Sequence, residues 1–170
     1  DRITLSGKVS CPKLWGGVNS PSLYRAEITL LYNGKPVDSI EQEFGIRSYC
    51  IDADNGFFLN GKPYPLHGVN YHQDSYESGW AMTDVQRERD YHIIRDMGCT
   101  AVRMAHYQHC DHEYSLCDRL GLCVWTEIGI INKMSADDSD AHVLSDGFGD
   151  NAKQQLRELI RQNYNHPSVI

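Results

Sequence analysis

Three short stretches of this sequence end in the same kind of chemistry. Asn70-Tyr71-His72, Arg103-Met104-Ala105-His106-Tyr107 and Trp125-Thr126-Glu127 each set a polar or ionisable group beside an aromatic ring. That combination suits a sugar, because flat rings pack on a pyranose face while imidazole and guanidinium groups bond its hydroxyls. One such stretch reads equally well as accident; three at corresponding places are harder to dismiss. His72 alone fits a hydrogen-bonded loop histidine. Arg103 lies on a strand, where an unpaired guanidinium is costly, so it needs a carboxylate partner. Glu127 or a residue beyond Ile170 would supply one. Glu127 by itself does not make a hydrolase, since glycoside hydrolysis needs two carboxyls, about 5–5.5 Å or about 6.5–9.5 Å apart. His106, His109 and His112 are spaced by three and raise the question of zinc. They precede a helix, in a turn, where solvated or capping histidines are the better reading, and no metal is expected.

The elements that must position these groups change character near residue 55. Before it the patterns are strand-like: Arg2 to Leu5 alternates, Tyr24 to Tyr32 is rich in β-formers, and Ile40 to Ile51 continues the theme. Asn33-Gly34 supplies the positive φ angles of a tight hairpin. Residues 1–54 therefore read as part of an antiparallel β-sandwich whose other strands lie elsewhere. Asn60-Gly61 marks a second hairpin, between residues 57–59 and 64–66. After it, Pro65 to Asn70 reads as a strand. Thr83 and Gln86 form a capping box that opens a helix running to Met97, with Gly98 as its stop. Thr100 to Ala105 is a strand, and Asp111 opens a helix stopped by Gly121. Leu122 to Thr126 is an apolar strand of the kind buried on both faces. Residues 130–149 read as a long loop, Ala152 to Ile160 as an amphipathic helix, and Ser168-Val169-Ile170 as a fourth strand's first residues. Strand–helix alternation of this kind is a parallel α/β arrangement. The turn after the first strand lacks the glycine-rich nucleotide fingerprint, which favours a (β/α)8 barrel over a doubly wound sheet. Such a barrel needs about 250 residues, so residues 55–170 are expected to hold its first three βα units only.

Composition excludes several classes. The chain has 170 residues, 41% hydrophobic and 23% charged, which is globular rather than disordered or fibrous. A net charge of −7 and the lack of a basic stripe argue against a nucleic-acid partner. No apolar run approaches the ~20 residues of a membrane span, and Asp1-Arg2-Ile3-Thr4 is not a signal peptide. The six cysteines form no CxxC pair and read as buried thiols rather than a disulfide or zinc framework. The compartment stays open. Unpaired sheet edges in a partial barrel are expected to promote self-association.

Several motifs together resemble glycoside hydrolase family 2, which includes β-galactosidases, β-glucuronidases and β-mannosidases. Thr100 to Tyr107, continuing through Leu116 to Leu122, is similar to that family's first signature. Phe58 to Pro63 and His67 to His72 resemble the opening of its barrel. Pro12 to Trp15, Pro21 to Tyr24 and Phe44 to Arg47 resemble the immunoglobulin-like domain that precedes it. Asn165 to Ile170 resembles the start of the second signature. His72-Gln73-Asp74 with His106-Tyr107-Gln108-His109 is most like the bacterial β-galactosidases. The resemblance implies a retaining exo-glycosidase whose acid/base and nucleophile glutamates lie beyond this chain, so that the chain alone is inactive. It further implies that His72 and His106 bond sugar hydroxyls, that Arg103 lies against the nucleophile, and that Glu127 supports it. Asn70 and Tyr107 would shape the pocket. Gln108 departs from the family, which usually carries proline there. Ile131 and Lys133 stand where some family galactosidases carry magnesium ligands, so no magnesium site and no cofactor is expected. A non-catalytic carbohydrate-binding protein is the alternative of another class.

Overall fold

The computed structural model describes residues 3–130 and 146–170. Strands β1 (Tyr24–Tyr32) and β2 (Lys35–Phe44) form an antiparallel hairpin. Asn33 and Gly34 have φ of +50° and +74°, as a two-residue turn of this hand requires. The expected strand near Leu5 is absent, and residues 3–10 are exposed and irregular. The expected strand from Ile40 to Ile51 is instead two: β2 starts directly after the turn, and β3 (Tyr49–Asp52) follows a break at residues 45–48. The break has a cause. Arg47 turns away from the sheet, donates through Nε to the Pro167 carbonyl at 2.6 Å and through Nη2 to that of Val169. Strands β3, β4 (Gly56–Leu59) and β5 (Lys62–Pro63) make a second antiparallel sheet around the Asn60-Gly61 turn. Here β5 is Lys62–Pro63 rather than residues 64–66. Tyr64 is buried instead, and its hydroxyl accepts from the Val18 N–H at 3.0 Å.

Strands β6 (Gly68–Tyr71), β7 (Ala101–Met104) and β8 (Cys123–Thr126) form a parallel sheet in that order. Between them run α1 (Asp84–Asp96) and α2 (Asp111–Leu120). Strand β6 begins three residues later than expected. Both halves of the Thr83–Gln86 capping box are present. Val102, Met104 and Val124 face the helices and pack with Tyr91, Ile94, Tyr114 and Cys117. Val169 makes an isolated parallel bridge to Val124, so residues near 169 lie beside β8 in the place of the expected fourth strand. The sheet is an open part of a barrel. Helix α3 (Asp146–Gln162) starts inside the stretch expected to be loop.

Burial of β8 on both faces does not hold, because Trp125 is 64% exposed. The face opposite the helices is covered at one end only. There Trp15, Leu59 and Tyr64 pack on Cys123, two residues before Trp125. The cysteine expectation also holds in part: Cys99, Cys117 and Cys123 are buried, Cys110 half-buried, and Cys11 and Cys50 exposed, all six with free thiols.

Gly121 ends α2 with φ +78°, and an added Cβ there would lie 2.4 Å from the Gly17 carbonyl carbon and oxygen. Left-handed strain and this backbone clash add, so Gly121→Ala is expected to cost about 3 kcal/mol in urea unfolding. A cost under about 1 kcal/mol would contradict the close approach seen here.

The preceding segment grips the foot of the sheet. Trp15 is fully buried and donates through Nε1 to the Asp118 carbonyl at 2.9 Å. The buried Asp118 carboxylate meets His166 Nδ1 at 2.6 Å and accepts from the Ser168 N–H at 3.0 Å. Burial lowers the His166 pKa, but the bond and the charge of Asp118, with Asp111 behind it, raise it by more, so it stands above the ordinary 6.5. A raised histidine stabilises fully below its unfolded pKa and loses that contribution as pH rises through the folded value. An NMR titration of His166 should therefore place its midpoint above 6.5, with stability falling through that midpoint. A midpoint at or below 6.5 would contradict the pairing.

Candidate functional site

The pleat and the parallel register put Asn70, Arg103 and Trp125 in one row, on the face away from the helices. Arg103 is fixed by a two-pronged bond. Its Nε donates to Glu127 Oε1 at 2.7 Å and its Nη2 to Glu127 Oε2 at 3.0 Å. Fork-to-fork pairing of this kind sets the plane of the guanidinium as well as its charge. The remaining Nη1 donates to Asn70 Oδ1 at 3.2 Å. His106 Nδ1 lies 3.2 Å from Arg103 Nη2 and 3.3 Å from Glu127 Oε2. Nη2 only donates, so a bond to it needs Nδ1 unprotonated, whereas a bond to the Glu127 oxygen needs Nδ1 to carry the proton. The His72 ring meets that of His106 edge-on, with centroids 5.4 Å apart. Asn70, His72, Arg103, His106 and Glu127 thus converge at the carboxyl ends of three neighbouring strands. The partner that Arg103 required is Glu127. The Arg103 and Glu127 side chains remain 34% and 21% exposed, so the pair is partly open to solvent rather than sealed in the core.

Tyr107 is placed differently. Its ring stacks between Trp80, at 4.8 Å, and His109, at 5.2 Å. It joins the loop after β6 to the turn after β7. A residue's neighbour in sequence here points into a different set of partners.

The three evenly spaced histidines do not converge. His106 faces Glu127, His109 bonds Glu113 at 2.7 Å, and His112 lies 3.4 Å from Glu88. Among the described residues no group of histidine, cysteine or acidic side chains has the arrangement of a metal site. Ile131 and Lys133 lie outside the described residues. Sequence reasoning missed the polar cluster beneath the site. Glu113 is fully buried and faces His109, Arg87 and Tyr91 together. Its neighbour Tyr71 bonds Asp90 at 3.2 Å, and burial pushes the pKa of the Tyr71 and Tyr91 phenols well up. The four-residue spacing of His109 and Glu113 across the start of α2 was the available signal.

Comparison with known proteins bears on this arrangement. The model of the glycosyl hydrolases family 2 TIM barrel domain matches residues 52–170, and a further model of glycosyl hydrolases family 2 matches residues 1–47. A β-glucuronidase of Bacteroides fragilis is 45% identical over 158 residues, covering 93% of this chain and 23% of that protein. A β-galactosidase of Thermoanaerobacterium thermosulfurigenes is 33% identical over 159 residues, covering 93% and 20%. The solved structure of Bacteroides uniformis β-glucuronidase 2, covalently bound to cyclophellitol-6-carboxylate aziridine, superposes with a TM-score of 0.81 at 40% identity, covering 94% and 18%. The chain spans about a fifth of the length of these relatives. The β-hairpin, the open parallel sheet with its helices and these matches agree: this chain belongs to glycoside hydrolase family 2, and residues 52–170 are its barrel portion.

Proposed function

We propose that this chain works within a longer retaining exo-β-glycosidase, and that Asn70, His72, Arg103, His106 and Glu127 form one wall of its sugar cup. The observation that carries this is the convergence of the Arg103–Glu127 fork with two imidazoles at one sheet end. In this reading His72 and His106 bond sugar hydroxyls. Arg103, held in plane by Glu127 and Asn70, presents its charge towards the position of the nucleophile. Tyr107 acts from behind, by supporting the turn. Residues 1–54 are the end of the sandwich and residues 55–170 open the barrel. The acid/base and nucleophile come from segments outside these 170 residues, and the chain needs no cofactor.

For the sugar, we favour a terminal β-glucuronide, because the 45%-identical relative and the solved structure at 40% identity are β-glucuronidases. A β-galactoside is the second reading. It is favoured by the 33%-identical β-galactosidase and by the wording around His72 and His106. The test is turnover of chromogenic β-glucuronide and β-galactoside by the 170-residue chain and by the longer protein. The chain is expected to hydrolyse neither, since loss of a general acid alone removes about 10²–10⁴-fold and the nucleophile is missing as well. The longer protein is expected to prefer the glucuronide. Turnover by the chain itself would overturn the assignment of the reactive acids. Preference for galactoside would select the second sugar, and sugar binding without turnover by the longer protein would make it a carbohydrate-binding protein.

A further inference from the structure

Beneath the turn that carries His106 lies polar machinery that the sugar wall does not use. His109 is 4% exposed. Its Nε2 lies 3.0 Å from the Ala105 carbonyl oxygen and its Nδ1 2.7 Å from Glu113 Oε2. Glu113 is fully buried, 3.2 Å from Arg87 Nε, and accepts from the Tyr91 hydroxyl at 3.4 Å. The rings of Tyr107 and Tyr71 pack against the imidazole at 5.2 and 5.9 Å. A carbonyl oxygen only accepts, so the Nε2 bond needs a proton on Nε2. Nδ1 faces a carboxylate oxygen, so a second proton sits between them, on the ring or on the carboxyl. The Ala105 N–H donates to the Tyr71 carbonyl at 3.1 Å. Residue 105 is therefore held on its amide side by the sheet and on its carbonyl side by His109, one residue before His106.

Burying an acid, a base and a guanidinium together is a poor way to gain stability, since an apolar core of the same volume does as well or better. What it does supply is a fixed direction. We propose that His109, oriented by Glu113, is a positioning residue: it fixes the Ala105 carbonyl and thereby the angle at which the His106 imidazole meets Arg103 and Glu127. The consequence for catalysis rests on the sugar-binding role proposed for His106; the geometric statement does not.

The experiment uses histidine-labelled 170-residue chain and long-range proton–nitrogen NMR of the imidazole rings. In the unaltered chain His109 is expected to show a hydrogen-bonded Nε2 proton. Its absence would overturn the proposal without any variant having to fold. Three variants then separate positioning from packing. His109→Phe keeps a flat ring in the stack and loses both bonds. Glu113→Gln keeps both, because its amide donates to Nδ1 while Nε2–H still meets Ala105. Tyr91→Phe removes a bond of the same cluster without touching Ala105. The His106 ring signals are expected to move in His109→Phe and to stay at their original positions in the other two. In the longer glycosidase His109→Phe should lower kcat/KM about tenfold, less than the ~10²-fold of a full 1 Å misplacement, with the other two near wild type. Unmoved His106 signals in His109→Phe, or equal movement in all three variants, would overturn the proposal. Movement as expected with unchanged kcat/KM would leave the positioning in place and overturn the sugar role of His106.

Discussion

Glu127→Leu in the longer glycosidase is expected to lower kcat/KM by about 10²–10³-fold, the scale of losing one pre-set charged group from a catalytic centre. Leucine removes both oxygens of the fork that holds Arg103 in plane, at 2.7 and 3.0 Å, and the acceptor that lies 3.3 Å from His106. The guanidinium then keeps only Asn70 and His106 as partners and is free to rotate. Two groups proposed to line the sugar cup lose their direction in one substitution. In the 170-residue chain stability should change little, by about 1 kcal/mol or less, because the pair is there partly open to water. Glu127→Gln keeps one acceptor and should fall between. A leucine variant within about threefold of the unaltered enzyme would remove the fork from the account, whatever its melting temperature.

The second large effect is on folding. Asp118 joins three parts of the chain: its carboxylate meets His166 and the Ser168 N–H, and its carbonyl accepts from Trp15. It is 4% exposed. Asp118→Ala leaves the half-buried His166 imidazole with only Asp111, at 3.6 Å, and the buried Ser168 N–H without its acceptor, and breaking a buried pair from one side costs about 3–5 kcal/mol. The expected readout is a denaturant midpoint lowered by that amount, with α3 and the Val169 pairing the first to exchange their amides. Asp118→Asn keeps an acceptor for Ser168 and should cost less than half as much. Equal losses for Ala and Asn would mean that the charge, not the bonds, carries this joint.

The features legible in the sequence share one property: each is written in a few consecutive residues. Asn33-Gly34 gives its hairpin, Thr83 with Gln86 opens α1, and Gly121 closes α2. The site was legible for a related reason. In a parallel sheet the strand ends must lie side by side, so Asn70, Arg103 and Glu127 had to share a rim once their strands were identified. What was not legible depends on contacts across long separations. Arg47, in the break after β2, binds Pro167, 120 residues away, where local propensity alone would continue the strand. Trp125 is apolar and on a strand, yet exposed, because its burial depends on how far the Trp15 cluster reaches across the sheet. Tyr107 follows His106 directly but stacks on Trp80 from another loop. His109 reads in the sequence as one of three spaced histidines near a turn, with nothing to tie it to Glu113 but a spacing of four. Only the fold shows that α1 and β6 close over them with Arg87, Tyr91 and Tyr71.

The most direct test is a crystal structure of the longer glycosidase holding an unreacted β-glycoside. If these strand ends form a saccharide wall, ring nitrogens of His72 and His106 will lie within about 3.2 Å of sugar hydroxyl oxygens, with the Arg103–Glu127 fork intact beside them. A sugar bound with those imidazoles facing only water or protein would contradict it.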